Sequence, residues 1–260
     1  MKTLFAFLIL ASAMLMAQTP FDGVWIAKTE KAELPQKPQI FLLQNGVYEC
    51  STCVPKIKVD ADGKDHPVAG SPYFSTINIR VIDDHSIEVT EKQREVVVYS
   101  ETDKVSDKGS SLTADVMDAA GFNGDPIKAQ QIYSRVAAAP TGASAISGSW
   151  QVQKVTINSE NGVMVTYRSI PNGLKASTPD GEGYEAKFDG KDYVIQGDPT
   201  RGAVCLTRIN DHTIEEADKL AGVVHFRVRM TVSPDGNSMK VVENDLERGT
   251  ETTYVMEKKQ

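Results

Sequence analysis

Two cysteines separated by two residues, Cys50 and Cys53, are the side chains of this sequence that could support the widest range of chemistry. A Cys-x-x-Cys pair can form a disulfide, act as a redox centre or bind a metal ion. A thioredoxin-type redox centre needs a helix at the pair, and this stretch lies among predicted strands. His66 follows at a zinc-like spacing, but no second histidine comes three to five residues later. We predict a structural disulfide, with no metal and no cofactor, and keep the redox and metal interpretations as alternatives.

Two histidines, His85 and His212, recur in equivalent Asp-His-Ser/Thr-Ile-Glu stretches. A repeated histidine could be a general base, but the sequence offers no nucleophile to go with it. The same stretch between two strands also makes a good turn, capped by the side chains of Asp84 and Asp211. We predict turns and no enzyme, with catalysis by the two histidines as an alternative.

The remaining chemical motifs are incomplete. Asp60-Ala-Asp-Gly-Lys-Asp65 begins like a calcium loop but lacks the later glutamate, and its Asp-Gly pair favours a tight hairpin. Gly181-x-Gly183 has neither the strand before it nor the helix after it that a nucleotide-binding loop needs.

Composition narrows the function classes further. Of the 260 residues, 28 are Lys or Arg and 35 are Asp or Glu, which gives a net charge of −7 and an isoelectric point near 5.2. This acidity argues against nucleic acid as a partner. The mean hydropathy of −0.29 excludes a polytopic helical membrane protein. Residues 1–17 combine one early lysine with a short apolar run and small residues, which predicts a cleaved signal peptide and export to the periplasm or medium, without stable membrane insertion.

The rest of the sequence is one unit repeated. Residues 62–113 align with 189–240 at a constant offset of 127, and 18 of the 52 positions are identical. The openings also match, Gly23-Val-Trp25 with Gly148-Ser-Trp150. A period above 100 residues indicates tandem domains, because solenoid repeats are about 20–50 residues long. We predict domains at 21–136 and 146–260, joined by a small, Pro- and Gly-containing linker at 137–145.

Each unit has the pattern of an antiparallel β-meander. Val223–Val232 alternates apolar and polar residues and ends at Ser-Pro-Asp-Gly, a turn signal. Similar short runs recur with turns every 8–12 residues, which is typical of barrels and sandwiches. Because a barrel leaves no long unpaired edge, the predicted fold class is all-β, with two tandem up-and-down antiparallel barrels.

A Gly-x-Trp opening followed by a meander resembles the calycins, the group of lipocalins and fatty-acid-binding proteins. More closely, Asp22–Trp25, Val47–Pro55 and Val81–Glu88 resemble stretches of bacterial exported lipocalin-like proteins. The resemblance implies a barrel fold and a possible binding cavity, and it names no ligand. We expect Trp25 and Trp150 to anchor the two barrels, although the arginine that stacks on the lipocalin tryptophan cannot be assigned from the sequence.

The two copies differ on one predicted wall. The second copy has Phe226, Val228 and Met230 where the first has Tyr99, Glu101 and Asp103. Either the strand has a different register in the first copy, or that copy has a polar interior. We expect the second copy to keep an apolar interior, with Phe226, Val228 and Met230 as candidate ligand contacts.

These observations predict an exported, non-enzymatic binding or carrier protein for a small apolar or amphipathic ligand. Two alternatives remain: an envelope interaction module with fully packed barrels, and an enzyme that uses His85 or His212. A cavity of a few hundred cubic ångströms would favour the first prediction over the packed module.

Overall fold

A computed structural model of the chain describes residues 19–119, 125–198, 200 and 202–260, so the predicted signal segment 1–17 lies outside the described residues. Within the described part the fold is all-β, as predicted, and the chain forms twenty strands and one short 3₁₀ turn, Glu160–Gly162. The strands of the first half are β1 (Gly23–Glu33), β2 (Gln39–Gln44), β3 (Val47–Cys50), β4 (Ile57–Asp60), β5 (Asp62–Pro67), β6 (Thr76–Asp83), β7 (Ser86–Gln93), β8 (Val96–Val105), β9 (Ser111–Asp118) and β10 (Ile127–Ala137). Those of the second half are β11 (Gly148–Ile157), β12 (Met164–Ile170), β13 (Gly173–Ser177), β14 (Gly183–Lys187), β15 (Asp192–Val194), β16 (Ala203–Asn210), β17 (Thr213–Leu220), β18 (Val223–Val232), β19 (Ser238–Asp245) and β20 (Thr250–Lys258). In the described part of the chain, no helix is long and apolar enough to cross a membrane.

The strands form two ten-stranded antiparallel sheets, each curled into a nearly closed barrel. Barrel I runs in the order β4-β3-β2-β11-β10-β9-β8-β7-β6-β5, and barrel II in the order β14-β13-β12-β1-β20-β19-β18-β17-β16-β15. The ends of barrel II are joined by two backbone hydrogen bonds between Gly183 and Gln196, of 3.0 and 2.7 Å. This architecture is consistent with the calycin-like fold that the Gly-x-Trp opening suggests.

The first strand of each repeat lies in the barrel of the other repeat. Strand β1 pairs with β20 and β12 in barrel II, and β11 pairs with β10 and β2 in barrel I. The barrels therefore do not coincide with the repeats 21–136 and 146–260 that the sequence predicts as separate domains. Barrel I is the continuous segment β2–β11, whereas barrel II is β12–β20 completed by the N-terminal strand β1.

The connecting segments account for this exchange of strands. Between β1 and β2 the chain reads Leu34-Pro-Gln-Lys-Pro38, where two prolines and no glycine oppose a tight hairpin. Residues 137–145, predicted as a linker between domains, instead connect β10 to its neighbour β11 within barrel I. The Pro-Thr-Gly stretch there makes a turn closed by a hydrogen bond from the Ala143 amide to the Pro140 carbonyl, 3.2 Å.

The two tryptophans lie at matching places in the two barrels, fully buried. Each indole nitrogen donates to the carbonyl four residues earlier, Trp25 to Phe21 at 2.7 Å and Trp150 to Ile146 at 2.8 Å. A cation lies over each ring, Arg135 at 4.0 Å from the centroid of Trp150 and Lys258 at 4.8 Å from that of Trp25. The arginine that the sequence could not assign is therefore Arg135, on the strand that ends the first repeat.

In each Gly-x-Trp stretch, the glycine leaves space for the cation that lies over the tryptophan ring. Gly23 and Gly148 have φ angles of +135° and +134°, which side chains rarely adopt. A Cβ on Gly148 would lie 2.5 Å from Arg135 Nη1 and 2.8 Å from the Ala137 carbonyl oxygen. The glycine of the motif therefore allows the cation to pack closely against the backbone beside the tryptophan.

Candidate functional site

A cavity of about 700 Å³ opens inside barrel II and continues to the junction with barrel I. Its volume falls within the range of about 300–1,000 Å³ that is usual for small-molecule sites. Apolar side chains from several strands of barrel II form much of its wall, including Val165, Val241 and Met256. Residues of barrel I, among them Gln131 and Tyr133, line its other end.

Two of the three residues predicted as ligand contacts line this cavity. Val228 and Met230 face into barrel II and belong to the lining, whereas Phe226 is not among the described residues that line it. All three lie on β18, whose outward side chains include Arg227 and Arg229. These two arginines form ion pairs with Glu215 on the outer wall, at 3.1 and 2.9 Å.

The strand that differs between the two repeats has the same register in both barrels. Ile87 pairs with Asp103 in barrel I, and the equivalent Ile214 pairs with Met230 in barrel II. The interpretation of a shifted register is therefore wrong, and Asp103 lies fully buried within barrel I. The first repeat contributes a polar interior, which was the other possibility.

Barrel II is not purely apolar either, because its acids come from the neighbouring strands. Val228 lies between Glu216 of β17 and Glu243 of β19, paired directly with both. Asp218 follows on the same face of β17. All three carboxyl groups line the cavity, so the expectation of an apolar interior in the second copy is wrong.

Glu216 and Asp218 form a hydrogen-bonded carboxyl pair. Glu216 also accepts a hydrogen bond from the Tyr184 hydroxyl, while Oδ1 of Asp218 has no partner. Burial, together with the charge of Asp218, holds the pKa of Glu216 well above its usual range. Burial raises the pKa of Asp218 to about 6, with the hydrogen bond from Glu216 acting against the rise. Because the two carboxyl groups are coupled, near neutral pH they share one proton and the pair carries one negative charge.

Two further groups belong to the same acidic region. Burial, followed by the charges of Asp218 and Asp245, raises the pKa of Glu243. Tyr254 packs against the core of barrel II and lines the cavity, and its hydroxyl has no hydrogen-bond partner among the described residues. Burial and the charges of Glu243, Glu216 and Asp218 raise the pKa of this hydroxyl, which places the four groups within range of one another.

The cations of the lining are at the other end of the cavity. Lys37 Nζ donates to the Arg248 carbonyl oxygen at 2.7 Å. Burial raises the pKa of Glu91 and of Tyr133 in barrel I, and the charge of the Arg248 guanidinium opposes part of that rise in both groups. The cavity is therefore acidic within barrel II and carries its positive charges beside barrel I.

Cys50 and Cys53 are joined by a disulfide, as predicted, with a Cα–Cα distance of 5.4 Å. The bridge closes the loop after β3, which the Ser51 amide fixes to the Ile40 carbonyl at 3.2 Å. Cys53 lines the cavity at the barrel I end, so the bridge shapes its rim. Cys205 is a free, partly buried thiol on β16.

The repeated histidines lie in exposed turns outside the cavity lining. The His85 amide donates to Asp83 Oδ1 at 2.8 Å, and the His212 amide donates to Asn210 Oδ1 at 2.9 Å. The capping side chains are therefore one residue earlier than the predicted Asp84 and Asp211, because the turn begins at the last residue of the preceding strand. Among the described residues, no three His, Cys, Asp or Glu side chains converge in a way that could hold a metal ion.

The sequence analysis missed the acids of barrel II, although a signal was present. In Thr213–Leu220 the side chains at 214, 216 and 218 share one face, so buried Ile214 assigns Glu216 and Asp218 to the interior. The apolar pattern of β18 predicted ligand contacts on that strand alone, whereas the cavity is lined by residues from several strands.

Three comparisons with known proteins found no match for this chain. No protein-family model matches it, no curated protein is similar to it at a significant level, and no solved structure is.

Proposed function

We propose that this chain is an exported, non-enzymatic binding or carrier protein of lipocalin-like type, which holds a small amphipathic ligand in the cavity of barrel II. The observation that carries the proposal is the cavity of about 700 Å³, with apolar walls and a few converging polar groups. Export rests on the apolar leader at residues 1–17 and is tested by N-terminal sequencing of the protein from the periplasm or medium.

The alternatives have less support. A packed interaction module predicts barrels filled by side chains, and barrel II has open volume. An enzyme that uses the repeated histidines predicts His85 or His212 at a cavity beside a nucleophile, yet neither lines the main cavity. His212 lies with Arg208 and Asp211 at a separate surface pocket, where its Nδ1 is 3.2 Å from the Val232 carbonyl oxygen.

The experiment measures binding of N-phenyl-1-naphthylamine, a neutral apolar dye that fluoresces when it is buried. We expect saturable fluorescence with the wild-type protein and weaker dye binding in Val228→Trp, which puts a bulky side chain into the cavity beside the apolar wall. Arg229→Trp places the same side chain on the outer face of the same strand and should bind the dye normally. Circular dichroism and thermal unfolding would establish that both variants fold. Absence of dye binding in the wild type, or equal binding by folded Val228→Trp, would overturn the proposal.

A further inference from the structure

The acidic end of the cavity contains hydrogen-bond acceptors that the protein leaves unused. Oδ1 of Asp218 is buried without a hydrogen-bond partner. The Tyr254 hydroxyl belongs to a side chain that lines the cavity, and it makes no hydrogen bond with the other described residues. Buried polar groups in folded proteins are nearly always hydrogen-bonded, since leaving one unpaired costs about 1–3 kcal/mol. One unpaired buried carboxylate oxygen and one unpaired hydroxyl at the wall of the same cavity point to a ligand that pairs with them.

We infer that the ligand is an organic cation, an ammonium group attached to an apolar body, with the ammonium beside Asp218, Glu243 and Tyr254. This inference rests on the proposed function, because it concerns the same cavity. A primary ammonium has three donors and no acceptor, which suits a site made of carboxylate oxygens and a hydroxyl oxygen. Val228 and Met230 provide the apolar contacts next to it.

Charge balance supports a cation at this end and excludes an anion there. The Glu216–Asp218 pair keeps one negative charge near neutral pH, and Glu243 adds a further carboxyl group. Asp180 and Glu182 are the other acids of the lining, and burial raises the pKa of Glu182 to about 7. Of the lining cations, the Arg248 guanidinium lies 3.9 Å from the Asp245 carboxylate and Lys37 donates to the Arg248 carbonyl oxygen, so both already have partners. An alkyl carboxylate would thus place its charge against carboxylates, whereas an ammonium would neutralise Asp218.

The test is competition against bound N-phenyl-1-naphthylamine by decylammonium, decanol and decanoate, which share one apolar chain and differ in the head group. Below their micelle concentrations and above the pKa of Asp218, we expect decylammonium to displace the dye at a concentration roughly tenfold below that of decanol, the gain of one charge-assisted hydrogen bond. Decanoate should be the weakest competitor.

Two isosteric variants then locate the preference. Asp218→Asn and Glu243→Gln should each reduce the advantage of decylammonium over decanol, measured as the ratio of the two displacement concentrations. Asp103→Asn is the matched control, because it removes a buried carboxyl group of barrel I that is outside the cavity lining. Its preference for decylammonium should equal that of the wild type.

The outcomes separate this inference from the proposed function. Equal displacement by decylammonium and decanol, stronger displacement by decanoate or by calcium ions, or an unchanged preference in both cavity variants would overturn the inference while the cavity still binds apolar ligands. Failure of the dye and of all three competitors to bind would overturn the proposed function as well.

Discussion

The two barrels share one plan, and they differ in where each places its acids. At one level of barrel I, Glu101 of β8 lies between Val89 of β7 and Val116 of β9. At the same level of barrel II, Val228 lies between two acids, Glu216 and Glu243. Acid and valine have exchanged positions across adjacent strands, so both interiors remain polar although the individual positions differ.

The different positions of the acids have different consequences in the two barrels. In barrel I the acid column continues to Asp103, whose carboxyl group is fully buried beside Glu101 and has no other partner. Burial and the charge of Glu101 hold the pKa of Asp103 well above its usual range. In barrel II the equivalent residue is Met230, and the acids surround an open cavity.

The largest effect that we expect follows from the exchange of strands β1 and β11 between the two barrels. Trp25→Ala should lower the free energy of unfolding by about 3–5 kcal/mol, the usual cost of removing a buried aromatic side chain. Because Trp25 lies on β1 in barrel II, faster hydrogen exchange should appear in β12 and β20, which belong to the second repeat.

Trp150→Ala is the matched control and should loosen β2 and β10 instead. Hydrogen-exchange mass spectrometry distinguishes the two patterns. If Trp25→Ala loosened β2 and β10, each repeat would form its own barrel and the exchange would be wrong.

The second-largest effect that we expect is a dependence of stability on pH, which arises from Glu91 of barrel I. Burial and the charge of Glu101 raise its pKa from 4.5 to about 7. The folded protein therefore binds this proton more tightly than the unfolded chain does. Its stabilising effect is complete below pH 4.5 and is lost as the pH rises through about 7. Glu91→Gln should raise the free energy of unfolding by about 2–3 kcal/mol above pH 7 and change it little below 4.5.

Urea unfolding at the two ends of this pH range measures the difference. Glu88→Gln, on the outer face of the same strand, is the control and should have a small effect, because Glu88 forms only an exposed ion pair with Arg80. An unchanged pH dependence in Glu91→Gln would show that the pH dependence arises elsewhere.

Asp103→Met places in barrel I the residue that barrel II has at the equivalent position. We expect the variant to be about 2 kcal/mol more stable at neutral pH, since it replaces a buried, poorly paired carboxyl group by an apolar side chain. Chemical denaturation of the full chain measures this gain. A loss of stability would instead mean that the Glu101–Asp103 pair stabilises barrel I.

The cations over the tryptophans predict the smallest effect. Arg135 donates to the carbonyl oxygens of Gly109, Ala145 and Ser147, whereas Lys258 makes one such bond, to Pro20 at 3.3 Å. Arg135→Lys should therefore cost about 1 kcal/mol through lost hydrogen bonds.

The reciprocal Lys258→Arg should be near neutral, because barrel II has no matching set of carbonyls bonded to its cation among the described residues. Thermal unfolding compares the two variants. Equal costs in both would mean that the cation–ring contact alone matters.

Local patterns in the sequence were enough to predict the strands, the turns and the disulfide. Alternation from Val228 to Val232 predicted which residues of that part of β18 face inward, and the Cys50–Cys53 spacing fits a short bridge. The site was harder to predict, because the cavity lining comes from strands far apart in the chain. Val228 could be found on its own strand, but Glu243 becomes its neighbour only through pairing of β18 with β19.

The sequence by itself determined that this protein is an all-β chain of two repeats, because hydrophobic alternation and internal identity are local properties of the residues. It also determined which residues of a regular strand share a face, since side-chain parity follows from strand geometry. Only the tertiary structure decided that β1 and β11 change places, because both arrangements satisfy the same strand pattern and differ only in the path of the connections. The tertiary structure also decided that Asp103 is enclosed while Asp218 faces a cavity, since that depends on the side chains that neighbouring strands bring into the same space.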